Sequence, residues 1–274
     1  MKIRRIILPI LLLACFVVAI AANPDIKAVK GQVADGYNFW LYTPATAAAD
    51  SDSVGTPVVI FLHGASLCGR NLERVKRYGT IDAITHGREL DAYVIAPQNP
   101  GGAWSPRRVM NIVDYLCRDH NVDTTRIYVL GMSLGGYGTL DLAATYPDKI
   151  AAAIAMCGGA SVSDLSGLAK LPLWIIHGTA DRAVTVAQSD RVVQAIECGR
   201  DSSDTVRLTY DRIKGMNHSR PARLFYRMDI YDWLMSHSLT DSLRAAKPTF
   251  PLTDQVFQTA YKDLKFPTRR KRRR

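Results

Sequence analysis

Ser133 lies in Gly131-Met132-Ser133-Leu134-Gly135, directly after the β-branched, aromatic and apolar run 126–130 and directly before apolar residues at helical spacing: Leu134, Tyr137, Leu140, Leu142 and Ala143. Strand, tight turn and helix in that order predict a serine hydroxyl standing clear of a sheet edge, with glycines where neighbouring chain passes too close for a β-carbon. A serine hydroxyl is a weak nucleophile at neutral pH and needs a base to take its proton. Histidine has the right pKa, and the chain holds six. His86 and His120 fall in helical or polar stretches, and His237 falls late in a helix as a surface residue. His63 and His177 end strands but are followed by glycine, a pattern in which the ring braces a turn. His218, in the loop Gly215-Met216-Asn217-His218 after the last predicted strand, is left as the base. An acceptor must hold that imidazole in one tautomer. Asp181, closing the strand that ends at Ile176, is the first choice for it, ahead of Asp190, Asp201, Asp204 and Asp211.

When a serine attacks a carbonyl, the oxygen becomes negative and needs donors already in place. The N–H of Leu134, at the positive end of the helix that starts there, is one candidate. The N–H of Ala65, after His63-Gly64, is the other. Trp104 and Tyr137 are candidates for shaping a substrate cleft. No cysteine has metal-ligand spacing, and a serine–histidine–acid mechanism implies no metal and no organic cofactor. Cys68, Cys117, Cys157 and Cys198 form disulfides in an oxidising compartment or stay as free thiols, and the sequence does not choose among the pairings.

Hydroxyl, imidazole and carboxylate so far apart in the chain can meet only if a common scaffold delivers them. The continuous apolar runs at 57–62, 92–97, 126–130, 150–156, 171–176 and 206–210 suit strands covered on both faces. Between them come helical patterns near 81–84, from Ser105-Pro106 to Cys117, after Ser133, at 185–198, and from Pro221 through Trp233. This alternation predicts an α/β fold: a mostly parallel, doubly wound sheet with helices on both faces. Asp35-Gly36 predicts a hairpin turn between Gln32-Val33 and 37–42. The His63-Gly64-Ala65 loop, Ser133, Asp181 and His218 all fall at carboxyl ends of strands, where such sheets bind ligands.

The set His63-Gly64, Pro97-Gln98, Trp104, Gly131 to Thr139, Tyr146-Pro147, Cys157-Gly158-Gly159, His177-Gly178-x-x-Asp181 and His218 resembles the α/β-hydrolase superfamily. More narrowly it is similar to secreted bacterial feruloyl and acetyl-polysaccharide esterases, polyhydroxyalkanoate depolymerases and prolyl-oligopeptidase-like hydrolases. The resemblance covers roughly residues 57–236 and implies the α/β-hydrolase fold, with Ser133, Asp181 and His218 as its serine, acid and histidine. It implies a carboxylic ester hydrolase working through an acyl-enzyme, with a small-molecule or polysaccharide-linked ester as substrate. A prolyl-oligopeptidase-like peptidase and a non-catalytic binding protein on the same fold are the alternatives. Two positions depart from the pattern: Thr185 stands where proline often follows the acid loop, and Arg220 where an aromatic often follows the histidine.

The formal charge of +10 sits at the ends of the chain. Lys2, Arg4 and Arg5 supply three charges; Lys265, Arg269, Arg270 and 271–274 supply the other seven, so the body between them is neutral. No aromatic follows Phe266 to stack on bases, so the basic tail reads as a solvated extension and not as a nucleic-acid contact. Residues 1–22 have a basic start, an apolar centre and small residues at Ala19, Ala21 and Ala22, which predicts a signal peptide and a secreted or periplasmic protein. Leu12-Leu13-Ala14-Cys15 offers the alternative of a lipid anchor at Cys15, the one route to a membrane. The expected organisation is a signal at 1–22, one catalytic domain over 23–240, and a C-terminal extension with its basic tail over 241–274.

Overall fold

The apolar runs of the sequence form the middle of one eight-stranded sheet, described in a computed structural model for residues 25–48, 55–198 and 203–266. Its strands are β1 (Asp25–Val29), β2 (Phe39–Thr43), β3 (Thr56–Leu62), β4 (Tyr93–Pro97), β5 (Val122–Met132), β6 (Ala152–Met156), β7 (Leu173–Gly178) and β8 (Leu208–Ile213). They lie side by side in the order β1-β2-β4-β3-β5-β6-β7-β8. The pairs β1/β2 and β2/β4 are antiparallel and all the others parallel. The signal-like residues 1–22, most of the basic tail and Asp201 lie outside the described residues.

Strand residues point alternately to two cores, as the period of two requires. Val59, Phe61, Leu130, Ile154 and Trp174 face one side with α1 (Thr80–Thr85) and α5 (Met228–Met235). Ile60, Leu62, Val129, Ala153 and Ile175 face the other with α2 (Pro106–Asp119), α3 (Leu134–Thr145) and α4 (Ala187–Glu197). Ser105 caps α2 by accepting from Arg108 N, and Pro106 occupies its first turn, where a missing N–H costs nothing. Because the sheet is buried on both faces, its register is fixed. Leu62 sits opposite Gly131, Met132 opposite Met156, and Gly178 opposite Ile213. The loops after β3, β5, β6, β7 and β8 therefore open along one edge.

Three expectations change. Asp35-Gly36 forms a turn, with Gly36 N donating to Val33 O, but Gln32-Val33 forms no strand; the strand that precedes β2 and pairs with it is Asp25–Val29. The loop is held instead by α2, through Arg108 to Gly36 O and Asn111 to Asp35 O. The helix expected from Pro221 through Trp233 is broken into a 3-10 stretch, Arg220–Tyr226, and α5, because Arg227 is extended (φ −98°, ψ 137°) with its guanidinium on Asp229. His237 is buried, not at the surface: Nδ1 donates to Trp233 O and Nε2 accepts from Lys247 N. The C-terminal extension, as far as Phe266, folds back on the body, with Trp233 Nε1 donating to Lys247 O and α6 (Asp254–Gln258) burying Phe257. Among the described residues, no helix is long and apolar enough to cross a membrane.

The tightest packing lies at the turn between β5 and α3. A β-carbon on Gly135 would stand 1.8 Å from the carbonyl oxygen of Leu62, and one on Gly131 would stand 2.4 Å from the carbonyl oxygen of Gly135. Both neighbours are backbone and cannot swing aside. Gly135→Ala is therefore expected to destabilise the fold by about 3 kcal/mol or more. Urea unfolding of the variant checks this, and a cost under about 1 kcal/mol would mean that α3 can shift off the sheet.

Candidate active site

Ser133 occupies the turn that Gly131 and Gly135 make possible. Its backbone has φ 60° and ψ −124°, a region that L-residues rarely adopt. The turn is held by Ser133 N donating to Met156 O at 2.9 Å and by Tyr137 N donating to Ser133 O at 3.0 Å. Ser133 precedes α3, yet its hydroxyl makes no capping bond to the helix and stays available. The N–H of Leu134, the first residue of α3, has no partner within the helix. Ala65 begins the 3-10 stretch Ala65–Leu67 and is exposed, so its N–H likewise has no partner within that turn. Both expected oxyanion donors thus lie at helix starts on the same sheet edge.

Asp181 and His218 come together as a hydrogen-bonded pair. His218 Nδ1 donates to Asp181 Oδ2 at 2.6 Å. The Asp181 side chain is fully buried, while that of His218 keeps 24% of its surface exposed. Asp181 Oδ1 accepts from Ala183 N and Val184 N, both at 2.9 Å. Burial pushes this carboxyl upward; the hydrogen bond from His218 and those from Val184 and Ala183 outweigh it and leave the group below the ordinary carboxylate range. An anion held by three donors at the base of the His218 ring fixes the tautomer and orientation of that ring. The structure shows no hydrogen bond between His218 Nε2 and Ser133 Oγ, a contact that often tightens only when substrate is bound.

The other histidines and acids have separate work. His63 is buried at the end of β3; Nδ1 donates to Gly64 O at 2.8 Å and Nε2 accepts from Asn99 N at 3.0 Å. That ring ties the Gly64-Ala65 turn to the loop after β4. His177 is buried beneath the acid turn; Nε2 donates to Val184 O at 2.9 Å, Nδ1 meets Ser189 Oγ at 2.8 Å, and Asp181 Oδ2 is 3.3 Å from Nε2. Both rings brace turns. Asp190 accepts from Tyr210 Oη and Arg212, and Asp211 accepts from Trp174 Nε1 at 2.7 Å, so neither faces His218.

One cleft candidate is placed differently from the expectation. Trp104 is only 3% exposed, with its ring edge-on to those of Tyr37 and His63, 5.3 and 4.9 Å between centroids. Gly138 leaves the room for it, since a β-carbon there would come within 2.6 Å of the indole. Trp104 therefore packs the β3 end and does not line a cleft. Tyr137 is half-buried with its ring beside Gly159, close enough that a β-carbon there would stand 2.8 Å from it. Arg220 is taken up by the Asp254 carboxylate and by the Phe257 ring, 4.9 Å from its guanidinium, which ties α6 to the His218 loop. Among the described residues, Cys68, Cys117, Cys157 and Cys198 are free thiols. Cys157, Asp181 and His218 bring potential metal-ligand atoms within 4.8 Å of one another. Asp181 and His218 are already hydrogen-bonded to each other, and burial together with the Asp181 charge raises the Cys157 thiol and holds it protonated. Sequence reasoning gave no role to two neighbours of the site, Cys157 and Tyr78, because only the sheet edge brings them there.

The sheet order, the serine at the turn after β5, and the acid and histidine after β7 and β8 match one architecture. The chain adopts the α/β-hydrolase fold. Residues 102–237 match the family described as Phospholipase/Carboxylesterase. A bifunctional acetylxylan esterase/xylanase of Neocallimastix patriciarum is 26% identical over 176 residues, covering 60% of this chain and 24% of that protein. Acetylxylan esterase A of Emericella nidulans is 40% identical over 143 residues, 44% of this chain and 41% of that one. The chain thus spans less than half the length of these relatives. Among solved structures, a thermostable esterase superposes with a TM-score of 0.61 at 24% identity, over 79% of this chain and 63% of that one. The feruloyl esterase module of Clostridium thermocellum gives 0.55 at 13%, over 84% and 92%.

Burial holds the His63 pKa down from 6.5 to about 4. The unfolded chain therefore binds a proton that the folded chain refuses over that interval, and stability falls as pH drops from 6.5 toward 4. The loss attributable to this ring is on the order of 3 kcal/mol. Urea unfolding of wild type and His63→Gln at several pH values checks it: the variant is expected to show a shallower loss across this window, and parallel curves would refute the assignment.

Proposed function

We propose that the protein is a serine hydrolase of carboxylic esters, acting on acyl groups carried by polysaccharide, with acetyl the favoured acyl group. The observation that carries this reading is the buried Asp181 carboxylate 2.6 Å from His218 Nδ1 at the sheet edge where Ser133 stands in its strained turn. Ser133 Oγ attacks the ester carbonyl as His218 Nε2 accepts its proton, and Asp181 stabilises the imidazolium. The carbonyl electron pair moves to oxygen, which rests on the N–H groups of Ala65 and Leu134. As the tetrahedral species collapses, His218 returns the proton to the departing alcohol, leaving the acyl group on Ser133. Water, deprotonated by the same imidazole, then releases the acid. The substrate class is supported by relatives described as acetylxylan esterases. Acylaminoacyl peptidases among the structural neighbours share the fold at 16 and 17% identity, and nothing in the site favours the peptidase reading over the ester one. Export belongs to the same proposal, supported by the basic, apolar and small-residue order of 1–22.

A fluorophosphonate probe is expected to label Ser133, with peptide mapping to locate it; labelling elsewhere, or none, would reject the nucleophile. Asp181→Asn should lower kcat on the order of 10³- to 10⁴-fold by disfavouring the reactive tautomer. A loss of only a few fold would mean that another acid holds His218. Across acetyl, butyryl, longer acyl, feruloyl and aminoacyl substrates, acetyl esters should give kcat/KM at least about tenfold above feruloyl and aminoacyl ones. The reverse order would overturn the substrate class and leave the mechanism standing.

A further inference from the structure

Tyr78 reaches the same edge from the far end of the connection between β3 and α1. It is followed by Gly79 in a conformation (φ 97°, ψ −158°) open to glycine, and a β-carbon on Gly79 would stand 2.1 Å from the Phe61 ring. The chain therefore turns flat over Phe61. Gly79 N is anchored on Tyr226 Oη, which in turn donates to Asp82. This turn carries the Tyr78 ring to the end of β3, where its hydroxyl accepts from Gly64 N at 3.1 Å and from Ser66 Oγ at 3.4 Å.

Both of those bonds use the lone pairs of the phenol oxygen. Among the described residues no acceptor takes its proton. The free O–H does not face bulk solvent alone, because the same point in space borders the nucleophile. A β-carbon on Gly64 would lie 2.9 Å from Tyr78 Oη and 3.5 Å from Ser133 Cβ. Gly64 is thus the bare wall between a rigidly held donor and the serine, and the next residue is the expected oxyanion donor Ala65. A half-buried hydroxyl with two bonds accepted and its proton unspent has a role once a negatively charged oxygen forms beside it.

We propose that Tyr78 is a catalytic residue that donates a third hydrogen bond, beside Ala65 N–H and Leu134 N–H, to the ester carbonyl oxygen as it becomes an oxyanion. This rests on the ester-hydrolase reading given above. Tyr78 keeps its proton throughout: the Ser133 Oγ–carbon bond forms, the carbonyl pair moves to oxygen, His218 takes the serine proton, and the phenol only bonds the developing charge. The simplest competing role is a brace, in which Tyr78 matters solely because it accepts from Gly64 N and aims the Ala65 turn.

Replacing Tyr78 with ring-fluorinated tyrosine separates the two roles, since fluorine makes the hydroxyl a stronger donor and a weaker acceptor while keeping its shape. Measured below the pH at which the modified phenol ionises, the oxyanion role predicts that kcat on an acetyl ester rises with fluorination. Tyr78→Phe should lose on the order of 10²-fold in kcat with KM changed by less than about threefold. A fall in kcat with fluorination would assign Tyr78 to bracing and overturn the proposal, as would a Phe variant that keeps wild-type kcat. In both cases wild-type turnover of the ester leaves the ester-hydrolase reading intact. A wild-type protein that neither hydrolyses esters nor takes a fluorophosphonate on Ser133 would remove that reading, and the Tyr78 assignment with it.

Discussion

Everything at this site depends on a serine held where a serine would not rest by itself. A backbone at φ 60° and ψ −124° costs about 1 to 3 kcal/mol for a residue with a side chain. It persists because β5 lies between β3 and β6 with both faces of the sheet buried, so the chain leaving β5 has one way to turn. Gly135 slides under the Leu62 carbonyl, Ser133 N is tied to Met156 O, and α3 must start at Leu134. The same strain that lifts the hydroxyl off the sheet leaves the first N–H of the helix pointing past it. The exposed hydroxyl and the unpaired first N–H of the helix are thus products of one packing constraint.

The acid and base obey a different logic. Asp181 is placed by its own turn: two backbone N–H groups hold one oxygen and His218 the other, while His177 pins Val184 O from below. Burial alone would raise this carboxyl and weaken it as an acceptor; the donors reverse that, so the charge is kept out of water without being lost. His218 remains partly exposed on a loop, tied through Arg220 to α6 and Phe257. The acid turn is thus buried and pinned by its donors, while the imidazole that faces it keeps part of its surface open to solvent.

Much of this was legible in the chain. Uninterrupted apolar runs such as 57–62 and 171–176 could only be strands covered on both sides, and Gly-Met-Ser-Leu-Gly after one of them marked the turn. Glycine spacing reported backbone contacts directly: Gly131 and Gly135 have no room for a methyl group. What stayed hidden depends on tertiary partners. His237 reads as a late-helix surface residue until residues 241–266 fold over it and Lys247 N meets its ring. Trp104 reads as a cleft aromatic until Gly138 makes space for it in the core. The break at Arg227 has no glycine or proline to announce it; the Asp229 ion pair sets it. Tyr78 sits in a polar stretch without periodicity, and only the flat turn over Phe61 makes it a neighbour of Ser133.

The central claim is that hydroxyl, imidazole and two N–H groups converge on one carbonyl carbon and its oxygen. A crystal structure of the enzyme phosphonylated at Ser133 measures this directly. The account predicts the phosphonyl oxygen about 2.7 to 3.1 Å from both Ala65 N and Leu134 N, with His218 Nε2 turned toward the ester oxygen and its bond to Asp181 kept. An adduct whose oxygen points to solvent, with the His218 ring out of reach of Ser133 Oγ, would contradict it.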